Sequence, residues 1–219
     1  MPFFFTDRMN IKPARYKIPG NFNSSAHIFY YFIERTYSVM ENSHSKTLTL
    51  TYIALSAALI AICSWISIPT TVPFTLQTFA VCLVAGLLGV KRGVLAVIVF
   101  ICLGAVGFPV FANFSGGLGV IFGTTGGYII GFIFTALIVG LATQKFGHKI
   151  PVLAISMVLG IAICYVFGTA WFMFVYTSQT GAVGLMTVLG WCVFPFIIPD
   201  IIKIVVATIL ADRLHKFIK

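Results

Sequence analysis

Apolar runs of about 20 residues recur along this chain between Leu48 and Leu210, and they decide what it can fold into. A helix rises about 1.5 Å per residue, so about 20 apolar residues cross a hydrocarbon core about 30 Å thick. The runs divide into six spans: Leu48 to Ile68, Thr75 to Val90, Val94 to Phe108, Tyr128 to Thr143, Val152 to Tyr176 and Leu185 to Leu210. The expected fold is an all-α membrane protein of six transmembrane helices. Composition closes off the soluble alternative, because 59% of the residues are apolar and only 9% are charged, far from the values of a soluble domain.

The net charge of +9 belongs to tails and short loops, so it sets topology and does not indicate nucleic-acid binding. Lys46 with the N-terminal tail, Lys91/Arg92, Lys145/Lys149 and the C-terminal cluster fall on one side of the six spans. The loops near 69–75, 109–127 and 177–184, on the other side, carry no Lys, Arg, Asp or Glu. The positive-inside rule then places both termini in the cytoplasm. Residues 1–45 differ in composition from the membrane domain, 46–219, and read as a disordered cytoplasmic extension, with an interfacial segment near Phe29 to Phe32. The extension lacks the apolar core and cleavage site of a secretory signal. Initiation at Met9 or Met40 is a further expectation, which N-terminal sequencing checks.

Asp200 and Lys203, in Pro199-Asp200-Ile201-Ile202-Lys203, are the opposite charges set well inside an apolar segment. Three residues apart, they share one helix face. Charge at that depth costs several kcal/mol and faces the bundle interior. Two readings stand side by side: a ligand site, or a buried ion pair that only fixes packing. Counting back thirteen residues from Arg213 puts Asp200 about 20 Å from the cytoplasmic interface, in the outer half of the core. A break at Pro199 would place Asp200 in the first turn of a half-helix, where the dipole favours an anion.

The stretch from Gly107 to Gly127 is uncharged and irregular, with Gly116-Gly117-Leu118-Gly119 and Gly123-Thr124-Thr125-Gly126-Gly127. Glycine at this density signals special backbone angles or close backbone approach. Irregular backbone near the membrane needs protein or a water-filled cavity around it, and Phe108, Phe111, Phe114 and Phe122 need cover. Together these features imply a pocket open to the outside, lidded by 107–127 and floored by Asp200 and Lys203. The first span also carries Ala54, Ala57, Ala58 and Ala61. Such small-residue faces bring helices close in lipid, either inside the bundle or onto a partner.

Several chemistries are excluded by what the spacing lacks. There is no G-K-[ST] phosphate loop, no H-E-x-x-H and no G-x-S-x-G. The five cysteines lie in apolar segments without C-x-x-C spacing, and the four histidines lie in tails or loops. No metal site, disulfide framework or catalytic pair follows, so the chain reads as no enzyme. The two halves show no clear internal repeat, which weakens an inverted-repeat transporter.

Five motifs occur in order: Thr71-Val72-Pro73-Phe74-Thr75-Leu76-Gln77-Thr78-Phe79, Gly104-Ala105-Val106-Gly107-Phe108-Pro109-Val110-Phe111, Ser115-Gly116-Gly117-Leu118-Gly119, Thr125-Gly126-Gly127-Tyr128 and Pro199-Asp200-Ile201-Ile202-Lys203. Over residues 46 to 219 the chain closely resembles the BioY family, the biotin-specific substrate-capture (S) components of energy-coupling-factor transporters. The resemblance implies a multi-pass cell-membrane protein that binds biotin from outside as its transported substrate, with no cofactor. It implies docking through Ala54 and Ala58 onto a transmembrane coupling subunit shared with two ATPase subunits, although a solitary carrier stays open. By the same resemblance Asp200, Lys203 and Asn113 are polar pocket residues, and Gln77 is a weaker candidate. Phe74, Phe111 and Tyr128 would cover the apolar ring, with plain packing equally open for each, and Gly116 and Gly117 belong to the binding loop. An S-component for riboflavin or thiamine is the rival within the class.

Overall fold

The computed structural model describes residues 46–218, and the fold described below is that of the compact unit beginning at Thr47. The expectations for residues 1–45 lie outside the described residues. Among the described residues there are five helices long and apolar enough to cross a membrane. They are α1 (Lys46–Trp65), α2 (Gln77–Val106), then after a short α3 (Leu118–Phe122) α4 (Gly126–Phe146), α5 (Ile150–Thr180), and a last run made of α6 (Leu185–Cys192) and α7 (Phe194–Ile218).

The expected second and third spans are both in α2. At Gly89 the backbone leaves the helix with φ +70° and ψ −168°, a conformation glycine adopts without steric cost. Beyond it the chain folds back. A Cβ on Gly93 would lie 3.1 Å from Cα of Ala85, whereas eight residues of straight helix span about 12 Å. The two arms, 77–88 and 90–106, are therefore antiparallel neighbours. This corrects the expected turn at Lys91-Arg92-Gly93: those residues begin the returning arm, and the reversal takes place at the single residue Gly89. The close approach of the α4 backbone locks the turn, since a Cβ on Gly140 would sit 2.7 Å from the Val90 nitrogen.

A two-residue β-hairpin links α1 to α2, pairing Ser67 with Thr75 and Ile68 with Phe74. The Leu76 N–H then donates to the carbonyls of Cys63 (3.2 Å) and Ile66 (3.3 Å), which ties the start of α2 to the end of α1. At its other end α2 closes on Gly107 (φ +110°). The Gly107 N–H reaches Gly104 O at 3.1 Å and the Phe108 N–H reaches Leu103 O at 3.1 Å, the paired bonds of a Schellman cap.

The glycine-rich stretch is more ordered than an irregular loop. Phe111 and Ser115 form a bridge around a 3₁₀ turn at Ala112–Phe114, and α3 follows. Of its four phenylalanines only Phe111 is buried, while Phe108, Phe114 and Phe122 are exposed. Phe114 stacks on Trp65 at 5.3 Å.

The α4–α5 pair forms the tightest seam. A Cβ on Gly131 would lie 2.8 Å from Cys164 Sγ, one on Gly160 3.0 Å from Thr135 Cγ2, and one on Gly168 2.2 Å from Tyr128 Cδ1. Small residues here let the backbones approach, and Thr135 Oγ1 donates across the seam to Gly160 O at 2.9 Å. In α1, Ala57 and Ala61 turn into the core, while Ala54 and Ala58 face outward and are exposed. The last span is broken at Val193 (φ −125°, ψ −58°), not at Pro199, which lies within continuous α7. Asp200 is thus in the second turn of α7, and the expected first-turn dipole contact is not made.

Candidate functional site

Asp200 and Lys203 meet on the inner face of α7 with Nζ–Oδ1 at 2.8 Å, and both are buried. Their surroundings explain how charge survives there. Thr78, one residue inside α2, donates to Asp200 Oδ1 at 3.0 Å. The Tyr165 hydroxyl, halfway along α5, donates to Asp200 Oδ2. Lys203 Nζ also donates to Thr75 O at 2.7 Å and to Thr78 Oγ1 at 3.3 Å. An ammonium has three N–H groups, so those of Lys203 are fully engaged within the protein. Its charge also lies 4.4 Å from the centre of the Phe74 ring, a cation–π contact of the kind that strengthens away from water.

A cavity of about 180 Å³ opens against this pair. The start of α2 supplies Gln77 and Thr78, α4 supplies Tyr128, Ile129 and Phe132, α5 supplies Cys164 and Tyr165, and α7 supplies Phe196. Val72 and Pro73 of the hairpin loop and Ala112, Asn113 and Ser115 of the 3₁₀ turn also line it. Apolar walls with a few convergent polar groups are the usual make-up of a small-molecule site. Asn113 is exposed while Asp200 is 3% exposed, so Asn113 stands at the mouth and the ion pair at the bottom.

Asn113 sits in a left-handed turn. Both it and Phe114 take positive φ, 56° and 55°, which non-glycine residues adopt at a cost. Ser67 Oγ donates to Asn113 Oδ1 at 2.9 Å and accepts from the Asn113 N–H at 3.3 Å. That leaves the side-chain amide N–H groups available. Gln77 is 6% exposed; its Oε1 accepts from Thr75 Oγ1 at 3.1 Å, and its Nε2 has no hydrogen-bond partner. An unpaired buried donor is costly, and here it borders the cavity.

Of the residues expected at the site, Asp200, Lys203, Asn113, Gln77, Phe111 and Tyr128 come together around one cavity. Phe74, Gly116 and Gly117 do not line it. Phe74 stacks on Phe196 at 5.4 Å and backs Lys203 from behind. Gly116 lets the loop close on itself, since a Cβ there would meet Phe108 O at 2.3 Å. Gly117 (φ +96°) donates to Gly104 O at 2.7 Å. Sequence reasoning missed Thr75, Thr78 and Tyr165. Tyr165 carried a usable signal: a phenol in the middle of a span needs a buried acceptor.

These features define a multi-pass membrane protein whose helical bundle encloses a small-molecule cavity, apolar in its walls and floored by one buried ion pair. The BioY family profile matches residues 38–219, beginning somewhat before the resemblance read at residue 46. The chain belongs to the BioY family. It is 46% identical over 160 residues to the biotin transporter BioY of Thermotoga maritima, covering 73% of this chain and 90% of that one. It is 39% identical over 172 residues to the probable biotin transporter BioY of Pyrococcus horikoshii, covering 78% and 98%. The fold matches the crystal structure of the S-component for biotin from an ECF-type ABC transporter with a TM-score of 0.71 and 31% identity, over 79% of this chain and 93% of that chain.

Proposed function

We propose that this protein is the biotin-capturing membrane subunit of a biotin importer, a transporter component and not an enzyme. It takes biotin from outside and passes it inward with a transmembrane coupling subunit and two ATPases. The observation that carries this reading is the fixed Asp200 carboxylate at the bottom of a largely apolar cavity. Biotin has a ureido ring with two N–H donors and a carbonyl, an apolar sulfur ring and chain, and a terminal carboxylate. An ionised carboxylate only accepts, so Asp200 suits a ureido N–H. Lys203, its three donors spent within the protein, holds the Asp200 carboxylate in place. The unpaired Gln77 Nε2 suits the ureido carbonyl. Asn113 at the mouth, its Oδ1 already engaged, can donate to the carboxylate tail. Phe111 and Tyr128 wall the apolar part.

Topology follows the charges. The cavity mouth belongs to the loops without charge, so it faces outward, and both termini are cytoplasmic. The outward-facing Ala54 and Ala58 on α1 leave a small-residue strip open for the coupling subunit, separate from Ala57 and Ala61, which pack inside.

Biotin binding by the purified chain tests the reading. Asp200→Asn removes a charged acceptor, which is worth about 1.5–3 kcal/mol, so affinity should fall tenfold to more than a hundredfold. Riboflavin and thiamine should not compete. Displacement of biotin by either vitamin would remove the assignment of substrate, and unchanged affinity in the Asp200→Asn variant would remove the assignment of site.

A further inference from the structure

At the end of the bundle opposite the ligand cavity lies a second cavity, of about 350 Å³. It forms where the α2 arms turn at Gly89 and meet the last turns of α4 and α7. Lys91, Arg92, Gln144, His148 and His215 line it over an apolar base that includes Leu88. The imidazoles of His148 and His215 stack face to face, with centroids 3.4 Å apart and planes 11° apart. Among the described residues, the side chains lining it include no carboxylate.

The charge balance of this end is unmet within the described residues. Their side-chain carboxylates are Asp200 and Asp212 alone, and Asp200 is bound by Lys203 at the other end of the cavity-bearing core. Asp212 is then the one described side-chain carboxylate left to offset Lys91, Arg92, Lys145, Lys149, Arg213 and Lys216. Clustered cations in a concave site call for an anion, and Arg and Lys both bind phosphate. The neighbours in sequence of the lining residues suggest what carries that phosphate. Leu141, Phe146, Leu214 and Phe217, in the last turns of α4 and α7 that also bring Gln144 and His215 to the cavity, are exposed apolar residues. They offer acyl chains a surface where the basic cavity offers a headgroup an anchor. Basic pockets between transmembrane helices hold anionic headgroups in this way.

We propose that this cavity binds the phosphate of an anionic membrane lipid, with Lys91 and Arg92 as the charged contacts and Gln144 and the stacked histidines as its polar wall. The proposal concerns the end of the bundle remote from Asp200 and does not depend on the biotin reading.

Native mass spectrometry of the full chain, titrated separately with phosphatidylglycerol, phosphatidylcholine and inorganic phosphate, tests it. Phosphatidylglycerol should stay bound where phosphatidylcholine does not. At about 1 kcal/mol per basic residue, the double variant Lys91→Gln/Arg92→Gln should hold it roughly thirtyfold more weakly. Lys149→Gln, outside the cavity lining, should bind as the parent does. Should the double variant unfold, as circular dichroism would show, His215→Asn replaces it and should also weaken retention. Equal retention by the cavity variants, equal retention of phosphatidylcholine, or no retained lipid would overturn the proposal; the last would leave the charge to an acidic protein partner. Inorganic phosphate that displaces the lipid at equal concentration would assign the site to free phosphate and overturn the lipid as its occupant.

Discussion

Asp200 and Lys203 stabilise one another and punish partial removal. The pair is buried, and each ion holds the other together with Thr75, Thr78 and Tyr165. Asp200→Ala leaves an ammonium in a low-dielectric core without its counter-charge, which costs about 3–5 kcal/mol. Asp200→Ala/Lys203→Met removes both charges and should recover most of that loss. The melting midpoints of the purified variants in detergent check this; equal losses in the single and double variants would show that the coupling is absent. Both variants should lose biotin binding, because the acceptor is gone in each. The pair was legible in the sequence because charge among apolar residues is rare and demands an explanation. Its supporting hydroxyls were not, since Thr and Tyr are ordinary residues in membrane helices. Thr78 and Tyr165 reach Asp200 from 122 and 35 residues away, and no local pattern marks such a meeting.

At the scale of elements, the spans were legible because hydropathy accumulates over about 20 residues. Single-residue events escape such a window. The reversal at Gly89 and the break at Val193 each depend on one backbone conformation, whereas the more conspicuous Lys91-Arg92-Gly93 and Pro199 both continue a helix. The glycine-rich stretch signalled close approach correctly but hid its order, because glycine marks that something comes near and not what: Gly126 meets Ile121 five residues back, whereas Gly127 meets Trp171 of α5. Gly104 is the clearest case. It lies beneath the buried Phe111, and a Cβ there would fall 2.0 Å from Phe111 Cζ. Gly104→Ala should therefore displace the Phe111 ring from the cavity wall, at about 1–3 kcal/mol of overpacking. A lower melting midpoint together with weaker biotin binding is expected. Loss of stability with binding intact would show that Phe111 serves packing alone.

For the whole molecule, burial separates two alanine strips on one helix. Ala57 and Ala61 hold α1 to the bundle, while Ala54 and Ala58, beside exposed Leu55 and Ile62, face away from it. Neither strip touches the cavity, whose lining draws nothing from α1. A bulky residue on the outer strip should thus leave the bundle and the ligand site intact and act only on association. Ala54→Trp/Ala58→Trp should bind biotin as the parent does and melt at the same temperature. It should fail to co-purify with the coupling subunit and should lose coupled uptake in cells, because close helix approach in lipid depends on small side chains. Ala57→Trp should do the reverse, since residue 57 is 2% exposed: the fold and biotin binding suffer first. Coupled uptake that survives the outer substitutions at full rate would place the docking surface elsewhere, or show that this chain carries biotin without a partner. Reconstitution into liposomes without any ATPase tells these two apart.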